Sequence, residues 1–249
     1  MSINSPEQFE KLRACGMIVG KALRAMAAEV RAGVTTGELC EIGSRVLAAH
    51  GARSSPPMVY GFPGDVCISV NDEVVHGIPG DRVVQPGDLV KLDLTAEKDG
   101  YHTDSAVSVE VPPSSPKGNA RELAHCAERA FRQALGAARA GNRTKDIGRV
   151  VEREVRRRGF QVVKELGGHG IGRTIHEQPS VPNFADFSAQ HKLTEGLVIT
   201  IEPIIAAGSG NVSLDKDGWT YRTVDGSLSA HYEHTIVITR GEPVLLTAA

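Results

Sequence analysis

The sequence lacks the marks of several protein classes. Its only cysteines are Cys15, Cys40, Cys67 and Cys126. None belongs to a Cys-x-x-Cys pair, so neither a zinc knuckle nor a disulfide scaffold is indicated. No apolar run reaches the length of a membrane span, and the first residues lack the charged and apolar segments of a signal peptide. We therefore expect a cytoplasmic protein without a membrane partner.

The chain also lacks a strong charge imbalance. Its formal net charge is -2, from 28 basic and 30 acidic residues. The basic run at 153–158 falls in a predicted helix without interleaved aromatic residues, which is typical of a solvated face and not of a nucleic-acid site. With 249 residues, 41% of them hydrophobic, the chain can bury a large core.

A strong hairpin signal is present between residues 89 and 109. Asp99-Gly100 separates two runs of alternating polarity, and this dipeptide favours a two-residue turn. Such a turn would place Asp104 opposite Thr95 and diagonal to Asp93. Because side chains alternate between the faces of a strand, the two carboxylates would share one face, about 7–8 Å apart at Cα.

Two carboxylates on one face of a sheet repel each other unless positive charge lies between them. A pair of divalent ions, bridged by carboxylates and about 3.5–4 Å apart, would supply that charge. The hairpin alone is equally compatible with two solvated aspartates on an edge strand. The rest of the chain must therefore distinguish the two interpretations.

The chain contains an internal repeat. Helical spacing predicts helices over 7–30, 36–51, 121–135 and 144–159. An Arg-Ala-Gly tripeptide, a helix-starting Thr and a helix-ending Gly recur at 31 and 139, 36 and 144, and 51 and 159, always 108 residues apart. We predict one domain, 1–249, with halves of about 1–112 and 117–249 related by a pseudo-two-fold axis. The proline-rich segments 54–57 and 111–116 are predicted loops, the second at the junction.

The second half supplies further acidic and imidazole groups. Alternating polarity over 197–202 predicts a strand that ends before Pro203, with Glu202 at its tip. Glu233 lies at the start of a second predicted strand, 232–238. His169 lies in a Gly-rich run, 167–172, that lacks the Gly-Lys-Ser/Thr ending of a phosphate loop. These glycines are expected to let backbone approach a small cavity closely. Taken singly, such glutamates are mostly solvated and such histidines mostly structural.

Together these groups form a candidate metal site. Its members are Asp93, Asp104, His169, Glu202 and Glu233. Four carboxylates and one imidazole suit Mn²⁺, Fe²⁺, Co²⁺ or Zn²⁺, and four anionic ligands balance two divalent ions. We expect His76 and His176 to lie nearby.

Several motifs follow one another along the chain. They are Asn71-Asp-Glu-Val-Val-His-Gly-Ile-Pro79, Asp93 with Asp104 eleven residues on, Gly168-His-Gly-Ile-Gly172, His176-Glu177, Thr200-Ile-Glu-Pro203 and Tyr232-Glu-His-Thr235. In this order they resemble the motifs of the type I methionine aminopeptidases, and the resemblance covers essentially the whole chain. Glu202 and Glu233 are only 31 positions apart, without the helical insertion of the type II branch.

The resemblance implies an α+β pita-bread fold, with two αβ halves, an antiparallel sheet and helices packed outside. It implies that the five candidate ligands hold two divalent ions (Co, Mn, Fe or Zn). The implied activity is removal of the N-terminal methionine from peptides and nascent proteins by a metal-activated hydroxide. The implied partners are peptide or nascent-chain N-termini and, further, the ribosome. A monomer without a specific nucleic-acid partner is expected.

The resemblance also implies roles for single residues. Glu202 would take the proton of the attacking water and pass it to the leaving amine. His176, and less directly His76, would stabilise the tetrahedral intermediate. The implied substrate-binding residues are His76, His176, Phe62, Cys67, Ile175 and Trp219.

The sequence departs from the family pattern at several positions. Ile175 stands where Phe is usual, and His231 stands where Gln is common. Pro56 and Val59 replace the usual Cys and Tyr. We expect Ile175 and Val59 to remove aromatic contacts with a methionine sulfur, each worth about 0.3–1.5 kcal/mol. Methionine should still be preferred, but less strongly over leucine.

Two other functions remain compatible with the sequence. One is a proline-specific or broader-specificity aminopeptidase of the same fold. The other is a metal-free binding module, which would be expected to have lost ligands, whereas all five are present here. A dinuclear phosphoesterase would share the metals, but the chain has none of the His-Asp-rich loops usual in such enzymes.

Overall fold

A computed structural model of the chain describes residues 1–113 and 119–248. In these residues the helices are α1 (Pro6–Ala28), α2 (Thr36–Ala49), α3 (Ser55–Tyr60), α4 (Ala120–Leu135) and α5 (Thr144–Arg157). The strands are β1 (Arg53–Ser54), β2 (Cys67–Val70), β3 (Glu73–Val75), β4 (Leu89–Lys98), β5 (Tyr101–Glu110), β6 (Gln161–Val162), β7 (Gly167–Gly170), β8 (Glu177–Pro182), β9 (Val198–Ile201), β10 (Ile204–Ala206), β11 (Val212–Leu214), β12 (Tyr221–Thr223), β13 (Ser229–His231), β14 (Glu233–Val237) and β15 (Val244–Leu245). Among the described helices, none has both the length and the apolarity needed to cross a lipid bilayer.

The four predicted long helices are confirmed, and local sequence explains where they begin. At the start of α2, the Thr35 hydroxyl accepts a hydrogen bond from the Glu38 N–H at 3.1 Å. The Glu38 carboxylate accepts one from the Thr35 N–H at 2.8 Å, completing a capping box. Helix α5 starts 108 residues after α2. The division into halves stays a prediction, and part of its predicted junction, 111–116, lies outside the described residues.

The prediction of a loop over 54–57 is wrong, because α3 begins at Ser55. Pro56 and Pro57 occupy its first turn, where the N–H groups that they lack have no partner inside a helix. Gly61 ends the helix with a φ of 73°. This short helix brings Tyr60 to the edge of the candidate site.

A nine-stranded antiparallel sheet is the centre of the fold, in the order β1-β4-β5-β14-β9-β7-β8, with β2 beside β4 and β15 beside β14. The predicted hairpin register is confirmed, since Thr95 pairs with Asp104 in β4 and β5. Asp99 and Gly100 form the turn with φ angles of 51° and 81°. Both positive angles fit the tight turn that an Asp-Gly pair favours.

The helix pairs cover one face of this sheet. Leu92 and Leu94 pack in a core with buried residues of α1 and α2. Ile199 and Ile236 pack in a second core with residues of α4 and α5. Because side chains alternate along a strand, the polar residues between these positions emerge on the opposite face, which the long helices leave open.

Strands β5 and β14 join the first hairpin to the later strands along a short seam. Their backbones pair at two positions within the described strands. Beyond these, the Thr235 hydroxyl accepts from the Asp104 N–H and donates to the Asp104 carbonyl, both at 2.8 Å. The Ser108 hydroxyl accepts from the His231 N–H at 2.9 Å and donates to its carbonyl at 2.8 Å. Inserted hydroxyls therefore join β5 both to β14 and to the end of β13.

Candidate metal centre and substrate pocket

A polar cavity of about 280 Å³ opens on the uncovered face at this seam. Its acidic and imidazole lining residues include Asp93, Asp104, His169, Glu202, His231 and Glu233. The first two come from the β4–β5 hairpin, and the others lie in or directly beside β7, β9, β13 and β14. The structure thus brings all five candidate ligands to one cavity, together with three further histidines, His76, His176 and His231.

The possible ligand atoms form two overlapping groups, each with all atoms within 4.8 Å of one another. One consists of Asp104, His169 and Glu233, and the other of Glu202, His231 and Glu233. Glu233 belongs to both groups. Asp93 lines the same cavity but belongs to neither group among the described residues. Two adjacent groups with a shared carboxylate suit two neighbouring ions.

The carboxylates are poorly compensated without added positive charge. Burial, followed by repulsion from Asp104, raises the pKa of Asp93 well above its usual range. Burial and the neighbouring Asp104 and Glu202 carboxylates do the same to the pKa of Glu233. Among the described residues, Asp104 Oδ1 and Glu233 Oε1 are buried without a hydrogen-bond partner. Such oxygens need a ligand, and divalent cations fit this donor set.

His169 is held with one nitrogen directed at this cluster. Its Nδ1 lies 2.9 Å from the Gly170 carbonyl, which can only accept, so Nδ1 carries the proton. In the neutral ring Nε2 then carries the lone pair, and it lies 3.6 Å from Glu202 Oε1. A hydrogen bond from the far nitrogen to a carbonyl is the usual way in which a metal-binding imidazole is oriented.

The glycines around His169 allow close strand packing. A Cβ atom on Gly170 would lie 2.2 Å from the Gln178 carbonyl oxygen of β8, and one on Gly168 would lie 2.5 Å from the Thr200 oxygen of β9. The sequence predicts that these glycines let the backbone approach a small cavity closely. The structure shows that their tightest approach is to the neighbouring strands, which fixes β7 and the imidazole that it carries.

A smaller cavity of about 90 Å³ adjoins the carboxylate cluster. All six residues expected to bind substrate line it, namely Phe62, Cys67, His76, Ile175, His176 and Trp219. The rings of Phe62 and Trp219 meet edge to face with centroids 5.3 Å apart. His76 and His176 line both cavities, so they stand at the boundary between the pocket and the carboxylates.

Tyr60 also lines the smaller cavity, and the sequence interpretation missed it. Its hydroxyl lies 2.6 Å from His176 Nδ1. Val59 is 45% exposed and is absent from the described lining residues, so the expectation that Val59 removes a ring from the pocket mouth is wrong. Successive helical residues point about 100° apart, so α3 directs Tyr60, and not Val59, at the pocket.

The environment of His176 favours a neutral ring with a defined donor. Packing around the ring, and then the nearby His169, lower the pKa of His176 to about 4. A neutral imidazole accepts at one nitrogen and donates at the other. If the Tyr60 hydroxyl donates to Nδ1, the ring proton lies on Nε2.

Comparison with known proteins identifies the family. The sequence model of Metallopeptidase family M24 matches residues 10–240. The chain belongs to this family. It is 42% identical over 249 residues to methionine aminopeptidase 2 of Bacillus subtilis, covering 99% of both chains.

Solved structures that this chain resembles confirm the predicted pita-bread fold. The crystal structure of methionine aminopeptidase from Thermotoga maritima matches with a TM-score of 0.95 and 32% identity, covering 100% of both chains. The prolidase from Pyrococcus furiosus matches with a TM-score of 0.79 at 24% identity, and 65% of that chain is covered. The second likeness concerns the fold alone.

Replacing Tyr60 with phenylalanine in this M24 metallopeptidase tests the contact with His176. The variant loses one hydrogen bond, which is typically worth about 0.5–1.5 kcal/mol, so we expect kcat to fall about 2–10-fold. Metal affinity should not change, because the hydrogen bond of the phenol is to His176, which is not a candidate ligand. Steady-state kinetics and calorimetric metal titration measure both effects, with Val59→Ala as the control on the same helix. A kcat equal to that of the unmodified enzyme would contradict the role given to Tyr60.

Lys91 is a second residue near the site whose role the sequence did not indicate. It is fully buried, and its Nζ donates to the Asn71 carbonyl at 2.7 Å and to the Ser229 carbonyl and hydroxyl at 3.2 Å. Burial lowers the pKa of Lys91 to about 7. The lysine links the segment that leads to His76 with the strand that ends at His231. It therefore helps to set the relative position of two sides of the site.

Proposed function

We propose that this chain is a type I methionine aminopeptidase that removes the N-terminal methionine from peptides and nascent proteins. The observation that carries the proposal is a cluster of four carboxylates and an imidazole beside a pocket of side-chain size. Full-length similarity to methionine aminopeptidases supports it. The pocket would hold the side chain of the first residue directly beside the candidate metal ligands.

The proposed ligands of two divalent ions are Asp93, Asp104, His169, Glu202 and Glu233. The orphaned carboxylate oxygens and the raised pKa values of the buried acids support this assignment. When bound there, the ions supply a water of lowered pKa as the nucleophile and positive charge that balances the carboxylates. Co²⁺, Mn²⁺, Fe²⁺ and Zn²⁺ all suit the donor set.

Glu202 is the proposed proton carrier. Burial alone would raise the pKa of Glu202, but the His231 and His169 imidazoles beside it lower the pKa below its usual value. The group is therefore ionised near neutrality and able to accept a proton. The Thr200 hydroxyl donates to its Oε1 at 3.2 Å and orients the carboxylate. Glu202 would accept the proton of the attacking water and deliver it to the leaving amine.

His176 and His76 are the proposed donors to the substrate. Both line the boundary between the pocket and the carboxylate cavity, where the bond to be cleaved would lie. His176 would present an Nε2–H when the Tyr60 hydroxyl donates to its Nδ1. His76 packs edge to face on Tyr221, with ring centroids 6.1 Å apart. Donors aimed at the developing oxyanion stabilise the tetrahedral intermediate.

A peptide panel tests the proposed function. The protein is stripped of metal, reloaded with Co²⁺ or Mn²⁺, and assayed on peptides that begin with Met, Leu, Ala or Xaa-Pro. We expect release of Met to be fastest and to require the metal. Preferred cleavage of Xaa-Pro peptides would favour a proline-specific enzyme instead. Metal-loaded protein that hydrolyses none of the peptides would favour a binding module.

Selectivity is proposed to depend on the wall at Ile175. This side chain is buried in the pocket, where a ring would contact the methionine sulfur. One such contact is worth about 0.3–1.5 kcal/mol, so Ile175→Phe should raise the Met/Leu ratio of kcat/KM by about 2–10-fold. Val59→Phe places the same ring outside the pocket and should leave the ratio unchanged. A ratio unchanged or reduced in Ile175→Phe would show that Ile175 does not control selectivity.

The proposed setting is the cytoplasm, where new N-termini emerge during synthesis. Nascent chains are then the substrates, the ribosome is a candidate partner, and a monomer is the proposed active form. Co-sedimentation with ribosomes and size-exclusion chromatography test these points separately. Neither result bears on the peptide assay, so the catalytic proposal stands or falls independently.

A further inference from the structure

His231 ends β13 at the back of the carboxylate cavity and is only 2% exposed. Its Nε2 faces two carboxylates, with Glu202 Oε2 at 3.5 Å and Glu233 Oε2 at 3.4 Å. Within the part of the chain that the structure describes, neither ring nitrogen has a hydrogen-bond partner. Burying an imidazole with both nitrogens unsatisfied costs folding free energy. A metal ion bound to one nitrogen would remove part of this cost.

The distances around His231 match those between two ligands of one ion. Hydrogen bonds between nitrogen and oxygen usually span about 2.7–3.2 Å, which is shorter than either separation. Two ligand atoms, each about 2.0–2.2 Å from one ion at a tetrahedral angle, lie about 3.3–3.6 Å apart. His169 Nε2 has the same relation to Glu202, at 3.6 Å from Oε1. The two oxygens of Glu202 thus face one imidazole each.

The backbone fixes the direction of the ring. Ser108 holds both the N–H and the carbonyl of His231 across the seam. His231 also pairs with Ile204 in the small sheet beneath the cavity. These backbone bonds fix the direction in which the His231 side chain leaves the strand, and that direction is toward Glu202 and Glu233.

We propose that His231 is a direct ligand of one of the two ions, so that each ion has its own imidazole. His231 would share its ion with Glu202 and Glu233, and His169 would bind the other ion with Asp104 and Glu233, so that Glu202 would lie between the ions with Oε1 facing His169 and Oε2 facing His231. The inference rests on the proposed metal-dependent function. A second imidazole shifts the preference toward Fe²⁺, Co²⁺ and Zn²⁺ and away from Mn²⁺, which favours oxygen ligands.

Cobalt-loaded protein allows the imidazole ligands to be counted without any assay of activity. A histidine bound to paramagnetic Co²⁺ through one nitrogen shows a strongly shifted, exchangeable proton NMR signal from the N–H on the other. We expect two such signals in the unmodified protein. His231→Gln should remove one signal, because Gln has no ring N–H, and calorimetry should show weaker binding of one of the two Co²⁺ ions. His125→Gln, which removes an exposed imidazole on α4, should change neither result.

The outcomes separate this inference from the proposed function. Two bound Co²⁺ ions with a single shifted imidazole signal would overturn the role of His231, and this result needs no variant to fold. Unchanged affinity for both ions in His231→Gln would overturn it as well, leaving the ring as a donor to the carboxylates. Failure of the unmodified protein to bind any Co²⁺ would overturn the metal-dependent function itself.

Discussion

Replacing His176 with alanine is expected to lower kcat about 10²–10³-fold, the usual cost of removing one donor to a tetrahedral intermediate. The ring lies at the boundary of the two cavities, where Nε2 would face the substrate while Nδ1 contacts the Tyr60 hydroxyl. Because His176 is outside both groups of possible ligand atoms, metal affinity should change little. Steady-state kinetics on a Met-peptide and calorimetric metal titration measure the two quantities.

The control for this variant is His191→Ala, which removes an exposed imidazole elsewhere and should leave both quantities unchanged. The decrease in kcat in Tyr60→Phe should be much smaller, because the His176 ring remains and loses only its hydrogen bond with Tyr60. A His176→Ala protein that loses its metal but retains kcat when saturated with it would show that the histidine serves the metal and not the intermediate.

Saturation with Co²⁺ is expected to raise the melting temperature of the metal-stripped protein by about 8–16 °C. A ligand at a thousand times its Kd stabilises the folded state by about 4.1 kcal/mol, and each kcal/mol shifts the melting temperature of a domain of this size by about 2–4 °C. The physical source is the repulsion among buried carboxylates, which bound cations would relieve. Differential scanning calorimetry with and without Co²⁺ measures the shift.

Two matched variants show whether this stabilisation comes from the site. Asp104→Asn should lose most of the shift because it removes a charged ligand candidate. Asp81→Asn, at an exposed position, should retain it. Equal melting temperatures with and without Co²⁺, in a protein whose activity requires the metal, would mean that the carboxylate cluster is not held together by ions.

Local signals fixed the features that could be predicted from the sequence. Asp99-Gly100 determines the turn, and the turn determines that Thr95 faces Asp104. Helix caps such as Thr35 with Glu38 set helix starts within a residue or so of those observed. The resemblance to the family rests on short motifs and their order along the chain. It therefore requires no knowledge of the spatial distances between residues.

The features that were missed depend on contacts between distant parts of the chain. Tyr60 lies 116 positions from His176, and its role follows from the unexpected α3 helix. Lys91 looks like an ordinary surface residue until Asn71 and Ser229 are seen to enclose it. Strand β8 contains two prolines, a composition that argues against a strand, and it lies at the end of the sheet where their missing N–H groups matter least.

The hydroxyl-bridged seam between β5 and β14 gives the ions a mechanical role. Asp104 stands on one side of the seam and Glu233 on the other, 129 positions further along the chain. An ion bound by both carboxylates would act as a reversible cross-link that closes this long loop. The two sides are otherwise joined there by few backbone bonds. Resistance of the sheet to shear should therefore rise and fall with the supply of metal.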